Sequence, residues 1–506
     1  MNGLLSEERL SDLSQIVANQ TALHFSRERW PDLERGIRSA AGKLGYSDIE
    51  ACIRRLLSTP LTRQETEILA GELTVGETYF FREKRSFEIL SDQIIPELAR
   101  LRQGTDRRLR IWSAGCCTGE EPYSIAILLD RILPDLQQWQ VTILGTDINP
   151  YFLKKASAGI YGEWSFRDAP PWLKSTYFKQ IDSNHYEISS SIKEKVRFAY
   201  LNLAEDNYPS LATNTNAMDL IFCRNVLMYF SPERTKRVAH NFRRSLVEKG
   251  WLLVSPTEVS SDLFATYSSV PFDGATFYRK GGTPSPAGIT PGWTIPAVVI
   301  APVTGGVKEE KVSSTPSLLD FIPALPVTSL EPALEPPTVD SGIASYDKAL
   351  ALFNQGNYEQ AALELQKESS STILKRAALM ARICANTGDL SQALSWVEKA
   401  LAADKLDAGL HYLRAVILEE QGVKEEALTA LKRTLYLDPN FVLAHYSLGN
   451  YALRQKNLKE AERHFANTRT LLKAYQPDDV LPQSDGLVAG RLQEMVESAM
   501  AMEQVA

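Results

Sequence analysis

The sequence predicts a doubly wound α/β domain set between an N-terminal helical domain and a C-terminal all-α solenoid. Three observations carry that expectation. Between residues 107 and 280, short β-rich runs alternate with longer amphipathic stretches, the pattern of a parallel sheet covered by helices. Ahead of them, apolar residues recur at helical spacing. Behind them, small residues recur every 34 positions, a period that belongs to stacked helix pairs.

Bulk properties agree. A chain of 506 residues is too long for one hydrophobic core. Its 44% hydrophobic and 23% charged residues are ordinary for globular protein. A net charge of −7 argues against a nucleic-acid partner. Cys52, Cys116, Cys117, Cys223 and Cys384 form no second close pair, so neither a metal site nor a disulfide framework is expected. The N-terminus has acids early and no basic-then-apolar segment, and no run approaches a membrane span. A cytoplasmic location without membrane insertion is the expectation.

Taken in order, residues 1–68 read as helices, with Leu10, Leu13, Ile16 and Val17 on one face and Ile49, Cys52, Ile53, Leu56 and Leu57 on another. The α/β domain is expected over 69–281. Its strands are Leu109–Ala114, Val141–Gly145, Leu220–Cys223 and Trp251–Ser255, with helices such as Ser124–Leu133 and Pro232–Glu248. His185–Ile188 and Val196–Phe198 read as an antiparallel excursion, a small β-subdomain inserted at about 163–200. Residues 282–342 read as a linker, because eleven of the 26 prolines fall between Pro284 and Pro337. The Leu318–Ile322 run within it reads as an incidental apolar patch rather than a docking peptide. Over 343–475, Ala393, Ala427 and Ala461 keep a 34-residue period, as do Gly388 with Gly422 and Asp404 with Asp438, and Pro439 follows. Gly356 and Ala361 repeat the relation upstream. This is the tetratricopeptide pattern, whose concave groove suits a protein partner of unknown identity. Residues 476–506 complete it as a capping helix.

Four stretches carry chemistry. Residues 110–124, RIWSAGCCTGEEPYS, run from strand through a glycine turn into a helix. Gly115 and Gly119 would let the backbone turn and approach a ligand. The stretch lacks the glycine patterns of dinucleotide and P-loop sites, and Glu120 and Glu121 would repel phosphate while suiting an amine or sulfonium. They would equally favour a helix N-terminus. Asp147, in TDIN after the next strand, is the ribose candidate by its place at the second strand's tip; the alternative is an N-cap for the helix near Pro150. Residues 219–230, DLIFCRNVLMYF, place Arg224, Asn225 and Tyr229 at another strand's carboxyl end. Residues 77–83, ETYFFRE, suggest an aromatic cover through which Arg82 enters a pocket, or an interdomain packing element.

ETYFFRE, SAGCCTGEEPYSIA, GTDIN, LNLAE and IFCRNVLMYF, in this order over roughly residues 1–280, resemble the CheR-type chemoreceptor glutamate O-methyltransferases. The resemblance implies an S-adenosylmethionine-dependent methyltransferase fold that leaves S-adenosyl-L-homocysteine as product, and a methyl-accepting chemoreceptor cytoplasmic domain as substrate. It implies cofactor contacts from Thr78, Arg82, Gly115, Glu121 and Asp147, with Asn202, Leu203, Asn225 and Val226 around the adenine. Arg82 and Tyr229 would border the methyl-transfer centre. Two departures stand out: Gly76 replaces an asparagine common in the family, and the glycine turn carries two cysteines.

Esterifying a carboxylate needs little acid–base work, since a free glutamate is ionised at neutral pH; alignment and exclusion of water should supply catalysis. A small-molecule methyltransferase and a catalytically silent scaffold remain the competing readings. The repeat module is expected to leave cofactor binding untouched.

Overall fold

The computed structural model describes residues 5–59, 61–102, 107–133, 135–206, 208–281, 341–367, 373–484 and 486–503. The proline-rich stretch, with its Leu318–Ile322 run, lies outside them. Among the described residues, ten strands follow in chain order: β1 (Arg108–Ala114), β2 (Gln140–Asp147), β3 (Ile160–Gly162), β4 (Phe178–Gln180), β5 (His185–Ile188), β6 (Val196–Tyr200), β7 (Met218–Cys223), β8 (Leu246–Val254), β9 (Ser268–Phe272) and β10 (Ala275–Arg279). The main sheet has the order β6-β2-β1-β7-β8-β10-β9. β6, β2, β1, β7 and β8 are parallel, and β10 is antiparallel to both of its neighbours. Every residue of β1 is buried, as a central parallel strand covered on both faces requires. From β1 the chain winds outward through β2 to β6, then returns to start β7 on β1's other side. The reversal opens a crevice at the strands' carboxyl ends.

The structure corrects five boundaries. The helix Arg63–Leu73 carries the N-terminal helical domain past residue 68; it begins with a capping box between Thr62 and Glu65, which satisfies donors that would otherwise be orphaned. Val196–Tyr200 is not part of the inserted subdomain: it is the edge strand of the main sheet, pairing parallel with β2. The subdomain sheet is β3-β5-β4 and starts at Ile160, before the expected residue 163. A short, partly buried strand of five residues reads the same on a hairpin as on a sheet edge, so pattern alone misplaces it. The predicted helix Pro232–Glu248 ends at Ser245, where β8 begins. Finally, the capping helix covers only Ala489–Glu503; before it the chain makes a turn closed by a Val480–Val488 bridge. The antiparallel strands β9 and β10, which the sequence reading passed over, complete the sheet.

The repeats form four helix pairs: Ser341–Asn354 with Tyr358–Gln366, Ile373–Thr387 with Leu390–Ala403, Ala408–Glu420 with Lys424–Leu437, and Val442–Arg454 with Leu458–Leu472. The first begins inside the expected linker boundary. Gly388 and Gly422 take left-handed φ of 88° and 79° in the turns within two pairs, a conformation that favours glycine. Ala393, Ala427 and Ala461 are buried, which lets paired helices approach closely. Among the described residues, no helix is long and apolar enough to cross a membrane.

The repeats and the α/β domain fall within one compact unit. At the amino ends of β1 and β2, Arg108 donates to the Gly388 carbonyl at 2.8 Å and Gln140 to the Glu420 carbonyl at 2.6 Å. The Glu420 carboxylate lies 3.5 Å from Arg108 and 3.8 Å from Arg110, and all three side chains are almost wholly buried. Leu211, from the loop before β7, packs into the apolar core of the first repeats. Removing one member of such a buried ionic cluster leaves its partners uncompensated. Glu420→Ala should therefore lower unfolding stability by about 3 kcal/mol, measured by urea denaturation of the full chain; a loss below about 1 kcal/mol would show that the cluster contributes little.

Candidate functional site

A concave cleft opens at the carboxyl ends of β2, β1 and β7, with about 920 Å³ of space between its walls, open solvent at its mouth included. Thr78, Arg82, Gly115, Glu121, Asp147, Asn202, Leu203, Asn225, Val226 and Tyr229 all line it. Five separate stretches of sequence thus meet in one place.

Asp147 ends β2. Its carboxylate accepts from the backbone N–H of Asn149 and of Cys117, each at 2.8 Å. The N-cap of the next helix is Asn149, whose Oδ1 accepts from Tyr151 and Phe152, so Asp147 is not consumed as a cap. Burial pushes its carboxyl up to about 6, and backbone hydrogen bonds from Asn149, Cys117 and Ile148 only partly oppose that rise. Gly115 turns the chain beside it with φ +80°, and a Cβ there would lie 2.4 Å from Val226 Cγ2. Gly119 serves differently: a Cβ would meet Ala156 and the Tyr161 hydroxyl, so it permits helix packing and does not line the cleft.

The two acids after the turn also diverge. Glu120 is buried and accepts from Thr118 and Ser165. Glu121 reaches the cleft, where Ser113 Oγ and Arg224 Nε each donate to it at 2.7 Å. Its remaining lone pairs are available to a ligand amine. Arg224 also donates to the Arg82 carbonyl at 2.8 Å, joining Glu121 to the ETYFFRE turn. In that turn Arg82 donates to the Glu77 carbonyl at 2.6 Å and borders the cleft. The aromatic cover is not there. Phe80 and Phe81 are buried against Tyr161, Phe166, Phe178, Phe87 and Trp172, where they pack the inserted subdomain onto the main core. Gly76 has a steric reason, since a Cβ would fall 2.8 Å from the Phe152 ring.

The N-terminal helical domain closes the remaining side. Thr21 and Leu23 line the cleft, Asn202 donates to the Gln20 carbonyl at 2.8 Å, and His24 N–H donates to the Tyr229 carbonyl at 2.7 Å. The Arg29 guanidinium lies 5.1 Å from the Tyr229 ring centre. Leu73, Val75, Ile148, Phe152 and Leu201 supply apolar walls that no sequence pattern singled out.

A further residue escaped the sequence reading. Glu258, buried after β8, accepts from the backbone N–H of Asn225, Val226, Met228 and Ser255 and from Ser255 Oγ, at 2.6–3.2 Å. Asn225 sits at a left-handed φ of 57°, and that carboxylate gathers the amides of the loop carrying Asn225, Val226 and Tyr229. The Ser255-x-x-Glu258 capping box was the available signal.

Comparison with known proteins now bears on the site. Residues 76–271 match the family described as CheR methyltransferase, SAM binding domain, and residues 379–440 and 424–468 match the tetratricopeptide repeat. The chain is 31% identical over 260 residues to a chemotaxis protein methyltransferase of Borreliella burgdorferi, covering 51% of this chain and 90% of that one. It is 34% identical over 217 residues to chemotaxis protein methyltransferase 2 of Vibrio cholerae, covering 43% and 74%. It is 28% identical over 423 residues to the probable biofilm formation methyltransferase WspC of Pseudomonas aeruginosa, covering 82% and 87%.

Two outcomes are expected. Were Asp147 to accept ribose hydroxyls as a carboxylate, S-adenosylhomocysteine affinity measured by calorimetry should fall as pH drops through about 6, by about tenfold per unit below it. The unliganded fold shows the opposite sign: with a pKa raised from 3.8 to about 6, the stability that protonated Asp147 contributes is lost as pH rises through about 6. Asp147→Asn should bind weakly with no pH step there; a retained step would assign it to another group. Second, Glu258→Gln turns an acceptor into a donor facing N–H groups and should weaken the same affinity about tenfold. Unchanged binding would show that the loop holds its shape without that carboxylate.

Proposed function

The chain belongs to the CheR methyltransferase family, and we propose that it forms methyl esters on glutamate side chains of a methyl-accepting receptor's cytoplasmic domain. The observation that carries this reading is the convergence of Asp147, Gly115, Glu121, Arg82 and Tyr229 on one cleft. The donor set fits S-adenosylmethionine: a strand-tip carboxylate for the ribose, a glycine turn closed by Val226, a paired carboxylate for the amino group and an arginine for the carboxylate. When bound, that cofactor supplies a methyl group on a positively charged sulfur.

The chain's own part is to bind, orient and exclude water. The acceptor glutamate is ionised at neutral pH, with an unperturbed pKa of about 4.3, so no general base is required. Nor do the nearby thiols offer a nucleophile, because burial pushes Cys116 and Cys117 up and keeps them protonated. Arg82 is the cation that would meet a carboxylate of the cofactor or of the acceptor at the cleft's mouth. Tyr229 presents its ring and hydroxyl from a short 3₁₀ turn, braced behind by His24 and Arg29. Holding the acceptor oxygen in line with the methyl group is worth several orders of magnitude in rate.

Relatives named biofilm formation methyltransferase match through both the catalytic and the repeat portions, over 82% and 86% of this chain. They support a receptor in a signalling array governing surface behaviour as the substrate. The test is incubation with radiolabelled cofactor and receptor cytoplasmic fragments. Base-labile label on receptor glutamates is expected, and Tyr229→Phe and Arg82→Ala should each slow it about a hundredfold. Label confined to small molecules, or no label, would contradict the proposal.

A further inference from the structure

The last helix of the chain, Ala489–Glu503, packs against β6 and against the helix Pro150–Ala158. Those two elements flank the cofactor cleft: β6 leads into Leu201, Asn202 and Leu203, and the helix follows directly from Asp147 and Asn149. Arg491 is the contact point. Its guanidinium is almost fully buried, lies 4.4 Å over the Tyr200 ring, pairs with Glu494 at 2.6 Å and donates to the Tyr200 carbonyl.

At this contact one peptide unit is held from both sides. The bond between Tyr200 and Leu201 has its carbonyl held by Arg491, while its N–H donates to the Asp147 carbonyl at 3.1 Å. Tyr200 is also the register partner of Asp147 across β6 and β2. The orientation of this peptide fixes where the cleft wall of Leu201–Leu203 begins, relative to the carboxylate assigned to the ribose. A buried guanidinium is costly to leave unpaired, so Arg491 and the Tyr200 carbonyl hold each other in place.

We propose that Arg491 is a positioning residue for the cofactor site, through which docking of the C-terminal helix raises affinity for the adenosyl ligand. The coupling rests on the cleft being the cofactor site. It departs from the expectation that the repeat module leaves cofactor binding untouched. Because binding linkage is reciprocal, anything that draws this helix off β6 lowers cofactor affinity, and bound cofactor holds the helix down.

The test uses the full chain and S-adenosylhomocysteine. Arg491→Gln should raise its dissociation constant about tenfold, with the deficit in methylation appearing in KM for the cofactor and recovered at saturation. In the unaltered protein, the ligand should slow hydrogen exchange of amides in 489–503, a reading that needs no variant to fold and that a merely structural arginine would not give. Asp147→Ala serves as the control for the cleft. If it loses binding while Arg491→Gln binds normally and exchange in 489–503 is unchanged by ligand, the coupling is overturned and the cleft assignment stands. If Asp147→Ala also binds normally, the cleft assignment falls and the coupling with it.

Discussion

A carboxylate buried at the tip of a central strand cannot stay ionised without donors, and Asp147 has two of them in the backbone N–H groups of Cys117 and Asn149. Those amides come from different connections, one after β1 and one after β2. The single side chain therefore sets the first turn against the second, and with it the distance across the cleft. Gly115 belongs to the same constraint, because the left-handed turn that delivers the Cys117 amide leaves no room for a Cβ against Val226. The two carboxylates nearest the strand ends have similar surroundings and separate fates: Asp147 is held by amides and raised by burial, whereas Glu121 is held by Arg224 and Ser113.

Around this centre the cleft is completed by parts that do not belong to the sheet. The N-terminal helices supply Thr21 and Leu23 and brace Tyr229 from behind, and the loop gathered by Glu258 supplies Asn225 and Val226. The inserted β3-β5-β4 sheet contributes indirectly, by burying Phe80 and Phe81 and so fixing where Arg82 emerges. The repeats hold the domain through several contacts, among them Glu420 at the amino ends of the strands and Arg491 beside β6. Their arrangement makes them part of the catalytic body, not a pendant arm.

How legible was this in the sequence? The sheet's core was plain, because β1, β2 and β7 carry short β-rich apolar runs followed by glycine or polar residues, and all ten named site residues reach one cleft. The repeats were equally plain, since their glycine turns and crossing alanines are dictated by close packing. What pattern could not settle was partner choice. Val196–Tyr200 is a short, partly buried strand, and only its tertiary pairing distinguishes an edge of the main sheet from a subdomain hairpin. Phe80 and Phe81 look like a lid for the same reason: aromatic residues next to a functional arginine carry no sign of which side they face. Glu258 and Arg491 hold backbone groups of distant residues; the local capping box marks Glu258 as a helix cap only, and nothing local marks Arg491.

Occupancy of the cleft decides the account. A crystal structure of the full chain grown with S-adenosylhomocysteine should show the ribose hydroxyls on Asp147, the adenine between Leu203 and Val226, and the homocysteine end between Glu121 and Arg82. Ligand density elsewhere, or a cleft that excludes the ligand at saturating concentration, would contradict it.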